Sequence, residues 1–322
     1  MFRKLSCFSV LILCCFGPAR SQVLKSDSIG ALELIDTLFI DRDLNNWSVR
    51  FVSNYRDLRS RLESTEENIR YVPNNPLGFG LGVASRKLIL DFNVTIKGVG
   101  GDQTDRFNML GTAVFENNVF DFFLQNFEGY NERNLNTGEQ YFRQDVSSFL
   151  AGVNYTHIFN KTRYSITSLR SGLDYQKKIA FSPAAGGFFL YDRLKADSAL
   201  IRTGGGLPEI SRYQTAALGI SAGIAGLVTL PYDIFIAGAI MPSAGMSYKR
   251  VNSGESWRVA DDPWIFMINT SATIGYNGEN IYLNLTVQTN RTTEAFPLEM
   301  RHTLQQLNAK LAIGYKLFRR TR

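Results

Sequence analysis

The sequence predicts an all-β fold, a transmembrane antiparallel up-and-down β-barrel of about 12 strands, within a range of about 10 to 14. Three observations lead to this prediction. Many segments of strand length alternate apolar residues with small polar ones. Tight turns alternate with long polar loops along the chain. Beyond the N-terminal segment, no stretch is long and apolar enough for a transmembrane helix, so a barrel is the spanning structure that remains.

The hairpin at residues 267–288 shows the alternation most clearly. Two runs of strand length flank a turn at residues 277–280 that contains Asn-Gly, a strong hairpin signal. Successive side chains of a strand point to opposite faces. The second run therefore has an apolar face of Ile281, Leu283, Leu285 and Val287 and a polar face of Tyr282, Asn284, Thr286 and Gln288. An apolar outside and a lumen of hydroxyls and amides are typical of a membrane barrel.

Residues 1–21 read as a signal peptide. The basic residues Arg3 and Lys4 precede a short apolar stretch, and small residues then allow cleavage after Ser21. The competing interpretation is a lipobox ending at Cys14, but the large Leu13 does not suit the position before that cysteine.

Cysteine content and charge exclude several classes of function. All three cysteines lie in the signal peptide, so disulfides and thiolate metal sites are excluded from the mature chain and no cofactor is indicated. The formal net charge of +6 comes from basic residues of the signal peptide and of the last four positions, and residues 22–318 carry no net charge. Nothing in this distribution predicts nucleic acid as a partner.

The rest of the chain divides into three parts. Residues 22–46 are predicted to be a periplasmic lead-in, residues 47–318 the outer-membrane barrel and residues 319–322 a basic C-terminal tail. The first strand is expected at residues 47–55. The charged stretch 56–70 is interpreted as an outer loop or a short helix.

A glycine-rich stretch at residues 77–84 invites comparison with a dinucleotide-binding loop. No helix pattern follows it, because residues 88–96 again read as a strand, so the context that such a loop requires is missing. We interpret it as a strand whose lumen face is glycine, which leaves room for a loop or plug to approach.

The remaining strands and loops follow the same alternation. Barrels of this type place short turns in the periplasm and long loops outside. A short turn precedes residue 163 and a long loop follows residue 194, so one or three strands must lie between them. The sequence offers two strand candidates there. We therefore favour 12 strands, with residues 176–185 as a lumen insertion or a bent strand. The other strands are predicted at 107–115, 119–130, 146–158, 164–173, 186–194, 216–230 and 234–248, and the long loops at 131–145, 195–212, 249–263 and 290–301.

The last strand, which ends at Leu317 and Phe318, is amphipathic and closes on an aromatic residue. Outer-membrane barrels present such a strand to their assembly machinery. We therefore expect outer-membrane lipid and the barrel assembly machinery as partners, and the outer membrane of a Gram-negative cell as the location.

Four Asn-x-Ser/Thr triplets match glycosylation acceptors, but a second interpretation fits them better. In a strand the Asn and the Ser or Thr of each triplet share one face, so we expect them to line the lumen. The pairs are Asn93 with Thr95, Asn154 with Thr156, Asn269 with Ser271 and Asn284 with Thr286.

Two groups of residues are candidates for chemistry. His157 could serve an outer-membrane lipase-type Ser/His hydrolase, but the sequence singles out no nucleophile for it, so no catalytic residue and no enzyme is predicted. Asp174, Gln176, Lys177 and Lys178 form a candidate lumen cluster. It would either line a constriction that favours anionic solutes or form a structural network that stiffens the barrel.

Several segments resemble a family of outer-membrane-type β-barrel proteins from Bacteroidota that is known only as a domain of unknown function. The resemblance implies the fold and the location, and the family brings no known activity. It rests on Ile35-Asp36-Thr37, on the runs at residues 118–130 and 155–160, and on Tyr175-Gln176-Lys177-Lys178 followed by Ser182 and Gly186-Gly187, which is an expanded version of the family's Gln-Lys-Lys-Ser-Ala-Gly run.

Two main classes of function follow. The protein is a narrow pore or transport barrel for an unknown small solute, or it is a structural or adhesive outer-membrane protein with a filled lumen, since a 12-strand barrel is narrow enough for its own side chains to block. A soluble β-sandwich or periplasmic lipid carrier is a weaker alternative.

Overall fold

The computed structural model describes residues 39–41, 47–74, 76–85, 87–95, 103–115, 117–160, 162–202, 209–254 and 256–317. The predicted signal peptide, most of the lead-in, Phe318 and the basic tail lie outside these residues. The same holds for the Ile35-Asp36-Thr37 part of the family resemblance.

The described chain is almost entirely β-structure. One short helix, α1, spans Ile166–Ser171. None of the helices in the described ranges is long and apolar enough to cross a membrane. The strands are β1 (Ile40–Asp41), β2 (Trp47–Glu63), β3 (Asn68–Val72), β4 (Leu77–Ser85), β5 (Leu88–Thr95), β6 (Asp105–Phe115), β7 (Asn118–Asn134), β8 (Gln140–Ile158), β9 (Tyr175–Gln176), β10 (Ala180–Lys195), β11 (Ile210–Thr229), β12 (Ile234–Ser253), β13 (Ser256–Val259), β14 (Trp264–Asn277), β15 (Ile281–Ala295) and β16 (Arg301–Lys316).

Twelve of these strands close into a ring. The order around the barrel is β2, β4, β5, β6, β7, β8, β10, β11, β12, β14, β15 and β16, and every neighbouring pair is antiparallel. Closure is made by β16 against β2, in register from Arg301 opposite Glu63 to Lys316 opposite Ser48. The predicted antiparallel barrel of about 12 strands is thus confirmed.

The four other strands lie at the two ends of the barrel. At the end with the long loops, β3 pairs with both β2 and β7 and so bridges over the shorter β4, β5 and β6. At the same end β13 forms a hairpin with β12. At the opposite end, where the short turns lie, β1 pairs with β9.

The outward faces of the strands form an apolar band. Exposed apolar side chains point outward at Trp47, Val49, Phe51 and Tyr55 on β2 and at Leu218, Ile220 and Ile224 on β11. The hairpin at residues 267–288 follows the predicted alternation, since Ile281, Leu283, Leu285 and Val287 point outward and are exposed. We call this belt of outward apolar side chains the apolar band.

The structure corrects the interpretation of residues 56–70. Most of them are strand, because β2 continues to Glu63 and β3 begins at Asn68, and only residues 64–67 form a connecting turn. Past the apolar band the outward positions become charged, as at Arg59, while the inward positions stay apolar, as at Leu62. Other long loops are shorter than predicted for the same reason, because β7, β8, β12 and β15 also extend beyond the apolar band.

The structure also corrects the region around residue 164. Residues 164–173 are not a strand, because they contain the helix α1. The insertion between β8 and β10 covers residues 159–179, and residues 180–185, which were expected to belong to it, are already part of β10. Among the described residues, β10 is the one barrel strand in this region, as the alternation of short turns and long loops requires for a barrel of 12 strands.

The glycine face predicted for residues 77–84 lies on β4 and faces the lumen. A Cβ at Gly82 would stand 2.3 Å from Oδ1 of Asp91 and 3.0 Å from Nε of Arg50. The missing side chain therefore makes room for an ion pair between β2 and β5. The expected occupant was a loop or plug, and the observed occupants are side chains of the neighbouring strands.

Candidate functional site in the barrel lumen

The lumen contains three layers along the barrel axis. A folded insertion fills the short-turn end, and we call residues 162–179 the plug. A polar cavity of about 300 Å³ lies in the middle. A cluster of buried apolar side chains, which we call the outer core, fills the end with the long loops.

Local sequence signals shape the plug. Ser165 caps α1, because its hydroxyl accepts a hydrogen bond from the Ser168 amide at 3.1 Å. Gly172 ends the helix in the left-handed conformation, with φ of 65°. A Cβ at Gly172 would meet the ring of Tyr282 at 2.6 Å, so glycine is needed here both for the turn and for the close approach to β15.

Polar groups of the barrel wall hold the plug from several sides. Arg170 donates from Nη2 to Oδ2 of Asp121 at 2.9 Å and from Nη1 to the Thr112 hydroxyl at 3.0 Å. Arg50 donates to the Arg170 carbonyl at 3.0 Å. On the opposite wall Asn284 donates to the Leu169 carbonyl at 3.1 Å. Because β2, β6, β7 and β15 all contribute, the plug is a fixed part of the barrel interior.

The end of the plug also contacts the chain before the barrel. Lys177 donates its backbone amide to the Phe39 carbonyl at 2.7 Å, next to the pairing of β1 with β9. The guanidinium carbon of Arg163 lies 5.2 Å and Nζ of Lys178 lies 5.5 Å from the centre of the Phe39 ring. The lead-in thus adds a strand to the plug.

The predicted lumen cluster is split by the structure. Asp174 and Gln176 are buried inside the plug, where the Ser165 hydroxyl donates to Asp174 at 2.7 Å and the Ser165 amide donates to Gln176 at 3.0 Å. Lys177 and Lys178 are exposed at the short-turn end and do not line the central cavity. A role of the two lysines in selecting solutes stays a prediction.

Amide and hydroxyl side chains line much of the central cavity. The predicted lumen pairs lie there as expected, namely Asn154 with Thr156, Asn269 with Ser271 and Asn284 with Thr286. Asn93 also faces the lumen, in a smaller cavity nearby. The interpretation of the Asn-x-Ser/Thr triplets as lumen lining is confirmed for these residues.

Charged side chains form the floor of the cavity. Arg50 contacts Asp91 through two nitrogens, at 2.7 and 2.6 Å from Oδ1, and Lys310 reaches the other oxygen of Asp91 at 3.2 Å. Together with Arg170 and Asp121 they make a charged layer above the plug. Both carboxylates of the cavity lining are therefore already neutralised by neighbouring cations.

Large inward side chains pack into the outer core. These side chains come from β3 and from eight of the twelve barrel strands, and most are less than 5% exposed. Two loops add residues to it, since Leu200 and Ile201 enter from the β10–β11 loop and Phe296 and Met300 from the β15–β16 loop. Its strand residues include Leu58, Leu62, Tyr71, Phe127, Tyr130, Val146, Leu150, Phe188, Leu190, Tyr213, Val251, Ile265 and Leu304.

Hydrogen bonds fasten the β10–β11 loop to the rim, beyond the apolar band. Arg143 donates two hydrogen bonds to Asp145, both of 2.7 Å, and a third of 2.6 Å to the hydroxyl of Ser198 in that loop. The Arg143 hydrogen bonds hold the pKa of the Asp145 carboxyl well below its usual range. The Tyr71 hydroxyl donates to the Leu200 carbonyl at 2.6 Å. These contacts keep the apolar residues of the loop in the outer core.

A Ser–His pair lies inside the outer core, and the sequence did not single it out. The Ser60 hydroxyl is 3.1 Å and the Tyr213 hydroxyl 3.0 Å from Nε2 of His302. Tyr213 also donates to Asp192 at 3.1 Å. His302 is 1% exposed, and its Nδ1 has no hydrogen-bond partner among the described residues. A Ser/His nucleophile needs a group that orients the histidine through its other ring nitrogen, and among the described residues none is hydrogen-bonded to Nδ1 of His302.

His157, the histidine considered in the sequence, lies at the short-turn end of β8. Its Nδ1 is 2.9 Å from the side-chain oxygen of Asn118, and its Nε2 is 2.8 Å from the side-chain nitrogen of Asn117. Its ring packs against Phe159 at 4.9 Å between centres. These contacts fit a residue that orders the turn between β6 and β7. Within the described chain no group of three or more potential ligands could hold a metal ion.

Comparison with known proteins adds a family and a set of similar folds. A family model described as Domain of unknown function (DUF4421) matches residues 34–316. No curated protein matches the sequence.

Three of the similar solved structures are outer-membrane proteins. The outer membrane protease OmpT from Escherichia coli is 7% identical, with 85% of this chain and 97% of that chain covered and a TM-score of 0.41. The β domain of the Bordetella autotransporter BrkA is 11% identical, with 82% and 98% covered and a TM-score of 0.38. Neisserial surface protein A is 8% identical, with 84% and 96% covered and a TM-score of 0.25. Likeness at this level says nothing about activity, and the barrel is established by its own strand pairing.

Proposed function

Because the chain belongs to the family described as Domain of unknown function (DUF4421), which brings no known activity, we propose a function from its own geometry. The protein is a closed outer-membrane β-barrel of Gram-negative cells. It does not conduct solutes, and it acts as a structural or adhesive platform that presents its long-loop end outside the cell.

The apolar band supports residence in a membrane. Exposed apolar side chains such as Leu218, Ile220 and Ile224 on β11 would be costly in water but are stable in lipid. The outward face of the last strand carries Leu311, Ile313 and Tyr315. This apolar last strand supports recognition by the barrel assembly machinery.

The observation that carries the proposal is the filling of the lumen at both ends. The plug is held by hydrogen bonds to four strands of the wall, and the outer core is packed with buried apolar side chains. A pore requires a continuous wet path. Here the polar cavity of about 300 Å³ lies between two packed layers.

The long-loop end supports a role as a platform. The hairpin of β12 and β13 extends beyond the apolar band, and all four residues of β13 are exposed. Its Trp257 lies under the guanidinium of Arg250, with 4.3 Å from the guanidinium carbon to the ring centre. Tryptophan and arginine are enriched among the residues that contribute most to binding at protein interfaces.

Cysteine accessibility in intact cells tests the orientation. The predicted mature chain has no cysteine, so a single substitution gives a clean label. Arg258→Cys on β13 is expected to react with a membrane-impermeant maleimide in intact cells. Glu279→Cys, in the turn between β14 and β15, is expected to react only after the outer membrane is permeabilised. Labelling of Glu279→Cys but not Arg258→Cys in intact cells would reverse the orientation, and release of the protein by osmotic shock would exclude the membrane location.

A further inference from the structure

Two arginines face a small cavity in the lumen wall beside the central cavity. Arg56 lies on β2 and Arg106 on β6, and the cavity between the strands measures about 20 Å³. The other residues that line it are Asn54, Pro76, Gly78, Asn93, Asn108 and Phe127. The site is formed by the barrel wall, and it is independent of the proposed function.

Neither arginine has a carboxylate within ion-pair distance among the described residues. Arg56 is 6% exposed, and its Nη1 is buried without a hydrogen-bond partner. Nε and Nη2 of Arg106 are likewise buried and unpartnered. Burying a charge is costly unless the charge is paired and hydrogen-bonded. Two such charges at one cavity call for a counter-charge.

The nearby carboxylates already form ion pairs with other cations. Asp91 pairs with Arg50 and Lys310, and Asp121 pairs with Arg170. Asp57, which follows Arg56 in the chain, pairs with Arg59 at 2.5 Å. The ring of Phe127 lies 5.1 Å from the guanidinium carbon of Arg106, which covers one face of that cation but does not neutralise it.

The remaining lining suits a small anion. The side chains of Asn54, Asn93 and Asn108 each have at least one buried atom without a hydrogen-bond partner. An amide can turn its NH₂ group toward an acceptor, so each can donate to an anion. A cavity of about 20 Å³ holds one particle of about the size of a water molecule. That volume fits a halide and is too small for a phosphate or a carboxylic acid.

We propose that the cavity between Arg56 and Arg106 is a halide site, occupied by chloride under physiological conditions. The ion accepts hydrogen bonds from both guanidinium groups and from the surrounding amides. It supplies a negative charge in contact with both guanidinium groups, which no carboxylate among the described residues does, and it ties β2 to β6 across the short strands β4 and β5.

Halide-dependent stability tests the site. The folded protein in detergent is unfolded by heat in sodium chloride or sodium gluconate at equal ionic strength. A ligand that binds only the folded state raises the midpoint in proportion to the logarithm of its concentration above the dissociation constant. We expect chloride and bromide, but not gluconate, to raise the midpoint in this way.

Variants distinguish halide binding at this site from a general effect of salt on stability. Arg56→Met and Arg106→Met are each expected to lose the difference between chloride and gluconate. Arg301→Met, at an exposed position at the start of β16, is the matched control and is expected to keep it. A difference that persists in Arg56→Met would be a general salt effect and would overturn the proposal, as would a wild-type midpoint that does not depend on the halide.

Bromide in crystals of the wild-type protein gives an answer that needs no variant to fold. Anomalous scattering is expected to show a bromide peak between Arg56 and Arg106. An ordered water without anomalous signal at that position, in crystals where bromide is seen elsewhere, would overturn the proposal.

Discussion

Arg170 in the plug and Asp121 on β7 form a two-pronged ion pair, in which Nη2 donates to Oδ2 at 2.9 Å and Nη1 bonds to Oδ1. The pair joins the C-terminal end of α1 to the barrel wall at the level of the central cavity. It fixes the plug against a strand more than forty positions away in the chain. The plug is thus an integral part of the fold rather than a loose loop at the short-turn end.

Asp121→Asn tests this anchor. The substitution leaves the Arg170 guanidinium without its counter-charge, so we expect a loss of about 2 kcal/mol in the free energy of unfolding. Urea unfolding in detergent micelles measures it. The double variant Asp121→Asn with Arg170→Gln should recover part of the loss, because no uncompensated charge remains. Equal stability of the wild type and Asp121→Asn would show that the plug is held without this pair.

Gly172→Ala tests the close contact between the plug and β15. Both Gly172 and Gly138 have positive φ, at 65° and 81°, so alanine costs about 1 kcal/mol at either position. At Gly172 the new Cβ also overlaps the Tyr282 ring, whereas at Gly138 nothing lies within 4 Å. We expect Gly172→Ala to lower the unfolding midpoint clearly more than the control Gly138→Ala. Equal shifts would mean that the plug does not press against Tyr282.

Leu150→Ala tests the outer core. Leu150 is 1% exposed among inward side chains, so its truncation loses transfer energy and leaves a cavity, which together cost about 2 to 5 kcal/mol. The control Leu218→Ala removes the same atoms from the outward face of β11, where Leu218 is 66% exposed and lipid or detergent fills the space. The free energy of unfolding of the control should fall only by the transfer free energy of the removed atoms, about 1 to 2 kcal/mol. A cost at Leu150 no larger than at Leu218 would indicate a loosely packed outer core.

Ser60 offers a test of the enzyme alternative. The hydroxyl lies within hydrogen-bond distance of His302, but both residues are enclosed in the outer core. We expect the folded protein to resist labelling by a fluorophosphonate probe, and Ser60→Ala to behave in the same way. Labelling of the wild type that is absent from Ser60→Ala would identify Ser60 as a nucleophile and would require a path through the outer core.

The architecture was largely predictable because one physical rule governs it. Alternation between lipid and lumen fixes each strand within the apolar band, so Leu283 and Asn284 could be assigned to opposite faces from the sequence alone. The rule fails beyond the band. There the outward Arg59 and Arg61 replaced the apolar face and suggested a loop, although the inward Leu58 and Leu62 continued the strand.

The lumen was less predictable because its contacts join residues far apart in the chain. Ser165 caps the start of α1 and Gly172 ends it, but a helix of six residues is too short to be recognised from a periodic pattern. The available signal was charge at inward positions, as in Arg56, Asp91 and Arg106. Which of these charges would find a partner depends on side-chain positions that a sequence pattern does not contain.

Single-channel conductance of the folded protein in a planar lipid bilayer tests the central claim, that the lumen is closed by the plug and the outer core. Heat-modifiable migration on a gel first confirms that the barrel is folded. We predict that the folded protein produces no discrete conductance steps. Sustained, ion-selective steps from the folded wild type would contradict the closed lumen and would make the protein a pore.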